Sequence, residues 1–289
     1  MLTAEITRKI EEKVQSKLIS TQTVSGGCIS DAYKIRTDTG AQFFLKINSG
    51  LPTDMFLKES NGLKELRKAN TIRIPEVIFA ESDFLMTELI TPGSRAKNFF
   101  ENFGRKFAKL HKYSSGEFGF YEDNYIGSNE QKNIPGEREK NNWIEFYFNE
   151  RILYQYKLAE KLKYTTSELT EGINKLENKI EDILSGSEEK PSLLHGDLWS
   201  GNFIVDEKGT ACLIDPAVYY GHREADLAMT KLFGGFSSEF YHSYNDAFPL
   251  KDGFEYRENI YKLYHVLNHL NLFGGGYYSQ AISLIRSYV

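Results

Sequence analysis

Apolar positions over residues 18–90 come in short runs suited to strands, and beyond residue 95 they recur at the three- and four-residue spacing of helices. Residues 4–17 read as a polar-faced helix. Residues 18–24 read as a strand running into Ser25-Gly26-Gly27, residues 32–36 as a second strand, and residues 42–47, after the turn Asp38-Thr39-Gly40, as a third. Residues 54–69 put Phe56, Leu63 and Leu66 on one helical face together with Glu59, a charged group that needs a partner there. Residues 74–80 and 84–90 predict two more strands before Thr91-Pro92-Gly93-Ser94 breaks the pattern near residue 90.

The remainder is mainly helical. Phe103, Phe107 and Leu110 share one face, and Leu169, Ile173, Leu176, Ile180 and Leu184 continue a 3.6-type repeat. The exception is a predicted hairpin, residues 203–205 and 211–214 around Asp206-Glu207-Lys208-Gly209. The pattern therefore predicts an α+β fold of two lobes. Residues 1–90 make a small N-terminal lobe, an antiparallel sheet with one key helix, and residues 91–289 make a larger, mainly helical C-terminal lobe.

Composition narrows the partners. The 289 residues carry 35 Lys and Arg against 40 Asp and Glu, a formal charge of −5 without blocks of one sign, which argues against nucleic acid as a partner. No run resembles a membrane span or a secretory signal, and two cysteines, Cys28 and Cys212, do not make a disulfide framework, so the sequence predicts a cytoplasmic protein with reduced thiols and no membrane partner.

The chemistry concentrates in Leu194-His195-Gly196-Asp197-Leu198-Trp199-Ser200-Gly201-Asn202-Phe203 and Ile214-Asp215-Pro216. Asp197 and Asn202 stand in the register of the protein-kinase catalytic loop, H-R-D-x-x-x-x-N, with glycine in place of the arginine. In that reading Asp197 accepts a hydroxyl proton, and Asn202 and Asp215, folded together by the intervening hairpin, hold Mg²⁺. Acidic loops flanking a plain hairpin would account for Asp206 and Glu207, but not for this register. His195 buttresses the loop, and Pro216, where protein kinases have phenylalanine, points away from a protein kinase. A phosphate cradle would be Gly26, Gly27, Cys28, Ile29 and Ser30, although a glycine pair between strands also makes a plain turn. Lys46 lies in an apolar strand and pairs with Glu59 if both face a cleft; taken singly, each also reads as a surface charge.

At these residues the chain resembles the fructosamine kinase (ketosamine-3-kinase) family, related to aminoglycoside and choline kinases. The resemblance extends to Ser25-Gly26-Gly27-Cys28-Ile29, Phe118-Gly119-Phe120, Asp123-Asn124-Tyr125-Ile126-Gly127-Ser128, Asn142-Trp143-Ile144-Glu145-Phe146-Tyr147, the run from Ile214 to Met229, and Leu232-Phe233-Gly234-Gly235-Phe236. It implies a bilobal protein-kinase-like fold and an ATP-dependent kinase acting on the sugar 3-hydroxyl of ketosamines, small molecules or glycated proteins, in a reaction that leads to deglycation. It also makes Asp197 the base, Lys46 and Glu59 the nucleotide pair, Asn202 and Asp215 the metal ligands, and Glu88, Leu89 and Ile90 the hinge that meets adenine.

Trp199 either packs against a sugar face or sits beneath the loop. Tyr219, His222, Arg223 and Glu224 either line the sugar side or fix their loop, and Asp226 accepts backbone N–H groups near a helix start. Cys28 would place a thiol near the phosphates, where related enzymes often have a cysteine. A covalent dimer after mild peroxide treatment would reveal an intermolecular disulfide there, and unchanged activity without a dimer would count against it; monomer and homodimer both remain open. Cys212 reads as inert core. Two other functions stay open at this point: a kinase for aminoglycoside or choline-like hydroxyls, and a catalytically silent nucleotide-binding module.

Overall fold

Helix α1, Ala4–Val14, opens on Thr3, whose hydroxyl accepts the Ile6 N–H at 3.2 Å. In this computed structural model, which describes residues 2–24, 30–48 and 50–289, the helix ends before residue 17 because Gln15 turns left-handed at φ 51°. Strands β1 (Leu18–Val24), β2 (Asp31–Thr37), β3 (Gln42–Ile47), β4 (Val77–Ala80) and β5 (Phe84–Glu88) form one antiparallel sheet in the order β1-β2-β3-β5-β4. β4 is shorter than its apolar run because Pro75 has no N–H to give a ladder, and the Ile74 carbonyl accepts from Arg67 at 2.9 Å instead.

Alternation along β3 sorts its side chains between two environments. Leu45 and Ile47 join Ile10, Tyr33, Ile35, Phe84 and Met86 in a small core between the sheet and α1. Phe44 and Lys46 face the other way, into a cleft. Helix α2, Met55–Lys68, packs Phe56, Leu63 and Leu66 into the large core formed by the rest of the chain. The chain passes from sheet to helices near residue 90; α2 packs against β4 and β5 as well as β6, and its apolar face belongs to the large core, which also takes in Leu85, rather than to the small core against α1.

After the sheet come α3 (Phe99–His111), a hairpin of β6 (Asn124–Ile126) and β7 (Asn129–Gln131), and α4 (Trp143–Tyr147), which continues through a π-helical turn, Phe148–Leu153, into α5 (Tyr154–Lys161). The apolar repeat expected to run to residue 184 is divided into α6 (Ser167–Glu177) and α7 (Ile180–Leu184). At the break the Asn178 side chain donates to the Asn174 carbonyl at 2.8 Å, a local competitor of the helical ladder. Strands β8 (Ser192–Leu194), β9 (Phe203–Val205), β10 (Ala211–Leu213) and β11 (Tyr219–Gly221) precede α8 (Arg223–Leu232), α9 (Ser238–Ala247), the long central α10 (Phe254–Phe273) and α11 (Tyr278–Arg286). β9 pairs with β10 and β8 with β11, so residues 195–202 and 214–218 are brought side by side. Among the described residues no helix is long and apolar enough to cross a membrane.

Candidate active site

Lys46 is opposite Ala32 and Leu85 in the sheet, and its Nζ lies 2.7 Å from Glu59 Oε1 on α2 and 2.7 Å from Asp215 Oδ1 beyond β10. Burial works against the Lys46 ammonium, but the charges of Asp215 and Glu59 overcome it and hold its pKa above the usual lysine value. Burial raises the Glu59 carboxyl, with the Lys46 charge opposing. The expected Lys46–Glu59 pair is present, and Asp215 completes a triad across the cleft.

The cleft opens around this triad. Its walls include Phe44, Leu85 and Thr87 from the sheet and Ile204 and Ile214 from the β9–β10 hairpin, with Glu88, Leu89 and Ile90 along one edge. A largely apolar cleft with a cation inside suits a nucleotide. Glu88 is also tied by Arg73, whose NH2 lies 2.5 Å from Glu88 Oε1 and whose NH1 reaches Asp206 at 3.0 Å and Glu207 at 2.8 Å. This ion cluster joins the edge of the sheet to the hairpin. Nothing in the local sequence around Arg73 signals it, because its partners come from two distant segments.

Asp197 lies on the loop between β8 and β9. Burial raises its carboxyl well above the ordinary range; the Asn202 amide opposes this, and the charges of Asp215 and Asp226 add to it. Asn202 donates its Nδ2 to the Asp197 carbonyl at 2.7 Å and to Oδ2 at 3.1 Å, which leaves the Asn202 amide oxygen without a partner among the described residues. That oxygen and the half-exposed Asp215 carboxylate are hard donors of the kind Mg²⁺ takes, so the residues fit such an ion.

The loop is held from behind. His195 receives the Asp197 N–H at Nδ1 (3.3 Å), so its proton sits on Nε2, which donates to the Ile214 carbonyl at 3.0 Å. Asp226 accepts backbone N–H groups as expected, but from His195 (2.7 Å) and Gly196 (2.8 Å) in this loop and not from its own helix start. Gly196 has φ +82° and its α-carbon faces Ala217, where an added Cβ would lie 1.9 Å from the carbonyl oxygen. No side chain fits there, which accounts for glycine where protein kinases have arginine. At Gly201 a Cβ would meet the Trp199 ring at 2.4 Å. Trp199 is half-buried, folded over Gly201 with its ring edge-to-face on Phe233, 5.9 Å between centroids.

Tyr219, His222, Arg223 and Glu224 are placed in the interior, which corrects the expectation that they line the sugar side. Tyr219 is 2 % exposed beneath the Arg151 guanidinium. His222 Nε2 bonds the Ser187 carbonyl at 2.6 Å, Arg223 grips Glu189 at 2.6 and 2.7 Å, and Glu224 pairs with Arg257 at 2.6 and 2.8 Å. Their polar groups are matched inside the protein, as buried charges require. Ser30 precedes β2 and is half-buried; Gly26, Gly27, Cys28 and Ile29 lie outside the described residues, and with them the phosphate cradle and the Cys28-linked dimer. Cys212 is fully buried, and burial pushes its thiol up to about 12, an unreactive setting.

The fructosamine kinase family model matches residues 2–289. A chloroplastic protein-ribulosamine 3-kinase of Oryza sativa subsp. indica is 38% identical over 288 residues, 97% of this chain and 82% of that protein. A protein named "Probable ketoamine kinase" in Enterococcus faecium is 37% identical over 280 residues, 96% of each chain. A crystal structure described as a fructosamine-3-kinase from Thermobifida fusca superposes with a TM-score of 0.89 at 27% identity, covering 99% of both chains.

Proposed function

The chain belongs to the fructosamine kinase family and is an ATP-dependent phosphotransferase, and from that premise we propose that it phosphorylates the sugar 3-hydroxyl of ketosamines, forming a product that releases the amine. The observation that carries the chemistry is Asp197, a carboxyl with a raised pKa bonded to Asn202 on a loop pinned against the Asp215 segment. A carboxylate made more basic by burial is suited to accept the acceptor's hydroxyl proton as that oxygen attacks the γ-phosphorus.

The other residues bind and orient. Lys46, held by Glu59, presents its ammonium to the nucleotide phosphates, and the edge at Glu88, Leu89 and Ile90 meets adenine. Mg²⁺ held by Asn202 and Asp215 would neutralise charge on the transferring phosphoryl group. Trp199, two residues beyond the base and half-exposed, offers a face to the sugar's apolar side. With Tyr219, His222, Arg223 and Glu224 committed to the interior, the preference for a ketosamine over another small alcohol rests on family membership and Trp199.

The test is ADP formation with fructosamine, ribulosamine and erythrulosamine derivatives of free lysine and of a glycated protein, beside an aminoglycoside and choline. Turnover with at least one ketosamine, phosphate on the 3-oxygen by ³¹P-¹H correlation, and later amine release support the proposal. Turnover confined to the aminoglycoside or choline would replace it with the broader hydroxyl-kinase reading, and absence of any turnover would favour a silent nucleotide-binding module.

A further inference from the structure

Residues 122–133, the β6–β7 hairpin with its flanks, contact both of the elements that place a carboxylate on Lys46. On the α2 side, Tyr125 donates its hydroxyl to Asp54 at 2.6 Å, and Glu122 accepts from Lys58 and Asn61, each at 2.8 Å. On the other side, Asn124 Nδ2 donates to the Val218 carbonyl at 2.8 Å and Gln131 Nε2 to the Ala217 carbonyl at 3.0 Å. Ala217 and Val218 follow Asp215, and the Ala217 N–H in turn binds the His195 carbonyl at 2.9 Å.

The amides in this hairpin have only one consistent orientation. Gln131 Oε1 accepts the Tyr264 hydroxyl at 2.7 Å, and Asn133 Oδ1 accepts from Arg151 NH2 at 2.7 Å. Asn124 Oδ1 accepts from Gln131 at 2.9 Å and from Asn133 at 2.8 Å. Two donors at the back, Tyr264 and Arg151, therefore orient the Gln131 and Asn133 amides, and through them Asn124, so that Gln131 donates to the Ala217 carbonyl and Asn124 to the Val218 carbonyl, while Asn133 donates to Asn124 Oδ1 and the Glu122 carbonyl. Arg151 is fully buried without a carboxylate partner, its guanidinium 4.0 Å over the Tyr219 ring and bonded to the Lys132 carbonyl; only its Nε lacks a partner among the described residues. Apart from that Nε the buried network is satisfied, and a single wrong group in it is costly.

We propose that residues 122–133 are a clamp that fixes the α2 helix against the Asp215 loop, with Asn124 and Gln131 as positioning residues for nucleotide binding. The clamp sets the separation of Glu59 and Asp215, and hence where Lys46 is held between them. It rests on the reading of that triad as the nucleotide site.

The experiment is calorimetric titration of the full chain with ATP and Mg²⁺, without any acceptor, on wild type, Gln131→Met and Glu122→Gln. Gln131→Met keeps the volume but leaves the Ala217 carbonyl unpaired; Glu122→Gln, at a partly exposed site, removes the ion pair with Lys58 on the α2 side. Both are expected to weaken ATP binding, Gln131→Met by roughly 2- to 30-fold and Glu122→Gln less, with the acceptor KM unchanged at saturating ATP. A lower melting temperature with wild-type ATP affinity in the folded variants would make the hairpin merely structural and overturn the clamp. If Gln131→Met does not fold, Glu122→Gln alone decides by the same criterion. Wild type that fails to bind ATP would sink the functional reading itself, an outcome distinct from variants that bind like wild type.

Discussion

Replacing Asp197 with Asn is expected to lower kcat by roughly 10²–10⁴-fold, the contribution of a positioned base, while ATP binding is largely kept. Lys46, Glu59 and Asp215 are untouched by the change, and Asn202 keeps its 2.7 Å bond to the residue-197 carbonyl. Stability moves the other way from activity. Burial, with Asp215 and Asp226 adding to it, raises the Asp197 carboxyl, so its ionised form costs the folded protein stability at neutral pH. An uncharged Asn should therefore hold or raise the melting temperature, as at other sites where function is maintained against stability. The same shift sets the pH profile. Asp197 must be unprotonated to take the hydroxyl proton, so the acid limb of kcat/KM for ATP lies above about 4, the ordinary carboxyl range. Steady-state kinetics and scanning calorimetry on the two proteins test both halves. Wild-type turnover in the Asn variant would remove Asp197 from the mechanism.

The parts of the site legible in the sequence are those whose geometry is local. The Asp197–Asn202 register fits within one loop, the hairpin between Asn202 and Asp215 announces itself by two apolar runs around a turn, and Glu59 stands out because a charge occupies an apolar helix face 13 residues from Lys46. The second carboxylate on Lys46 is 169 residues away, and no periodicity links the two. The same limit explains His222, Arg223 and Glu224. Charges beside a catalytic motif look like substrate ligands until their partners are known, and these partners, Ser187, Glu189 and Arg257, lie 33 to 35 residues off in sequence. Nothing in the sequence pattern marks Asn124, Gln131 and Asn133, because buried amides leave no hydrophobic signal; only the fold shows Asn124 and Gln131 donating to the Val218 and Ala217 carbonyls and Asn133 donating to Asn124. The five-stranded sheet followed, since alternation in β3 predicts which face carries Lys46, whereas assignment of α2 to the second core depends on contacts that patterning does not encode.

Stability is expected to fall steeply as pH drops below about 6.5, the ordinary histidine pKa. His111, His195, His222, His265 and His269 are buried or half-buried, and in each case burial lowers the pKa. Below 6.5 the unfolded chain takes up protons that the folded chain refuses, so the free energy of unfolding declines with acid. For His265, pushed down to about 3, the cost reaches about 1.4 kcal/mol at pH 5.5 and about as much again for each further unit until its folded pKa is approached. The other four act in the same direction, against a total stability of only about 5–15 kcal/mol. Asp226, lowered despite its burial through bonds to His111 and the Gly196 N–H, adds a loss only at lower pH, as it protonates below the normal aspartate value. Asp197 and Glu59 oppose the trend, because their raised carboxyls take up protons in the folded state before the unfolded chain does. Urea unfolding at pH 7.5, 6.5 and 5.5 measures the slope, and His265→Leu isolates one contribution. His265 Nδ1 has no hydrogen-bond partner among the described residues, and leucine can occupy a similar volume. The variant should recover about 1.4 kcal/mol at pH 5.5 relative to its effect at pH 7.5. A flat wild-type profile would overturn the expected acid sensitivity, and an unchanged slope in His265→Leu would place that sensitivity outside His265.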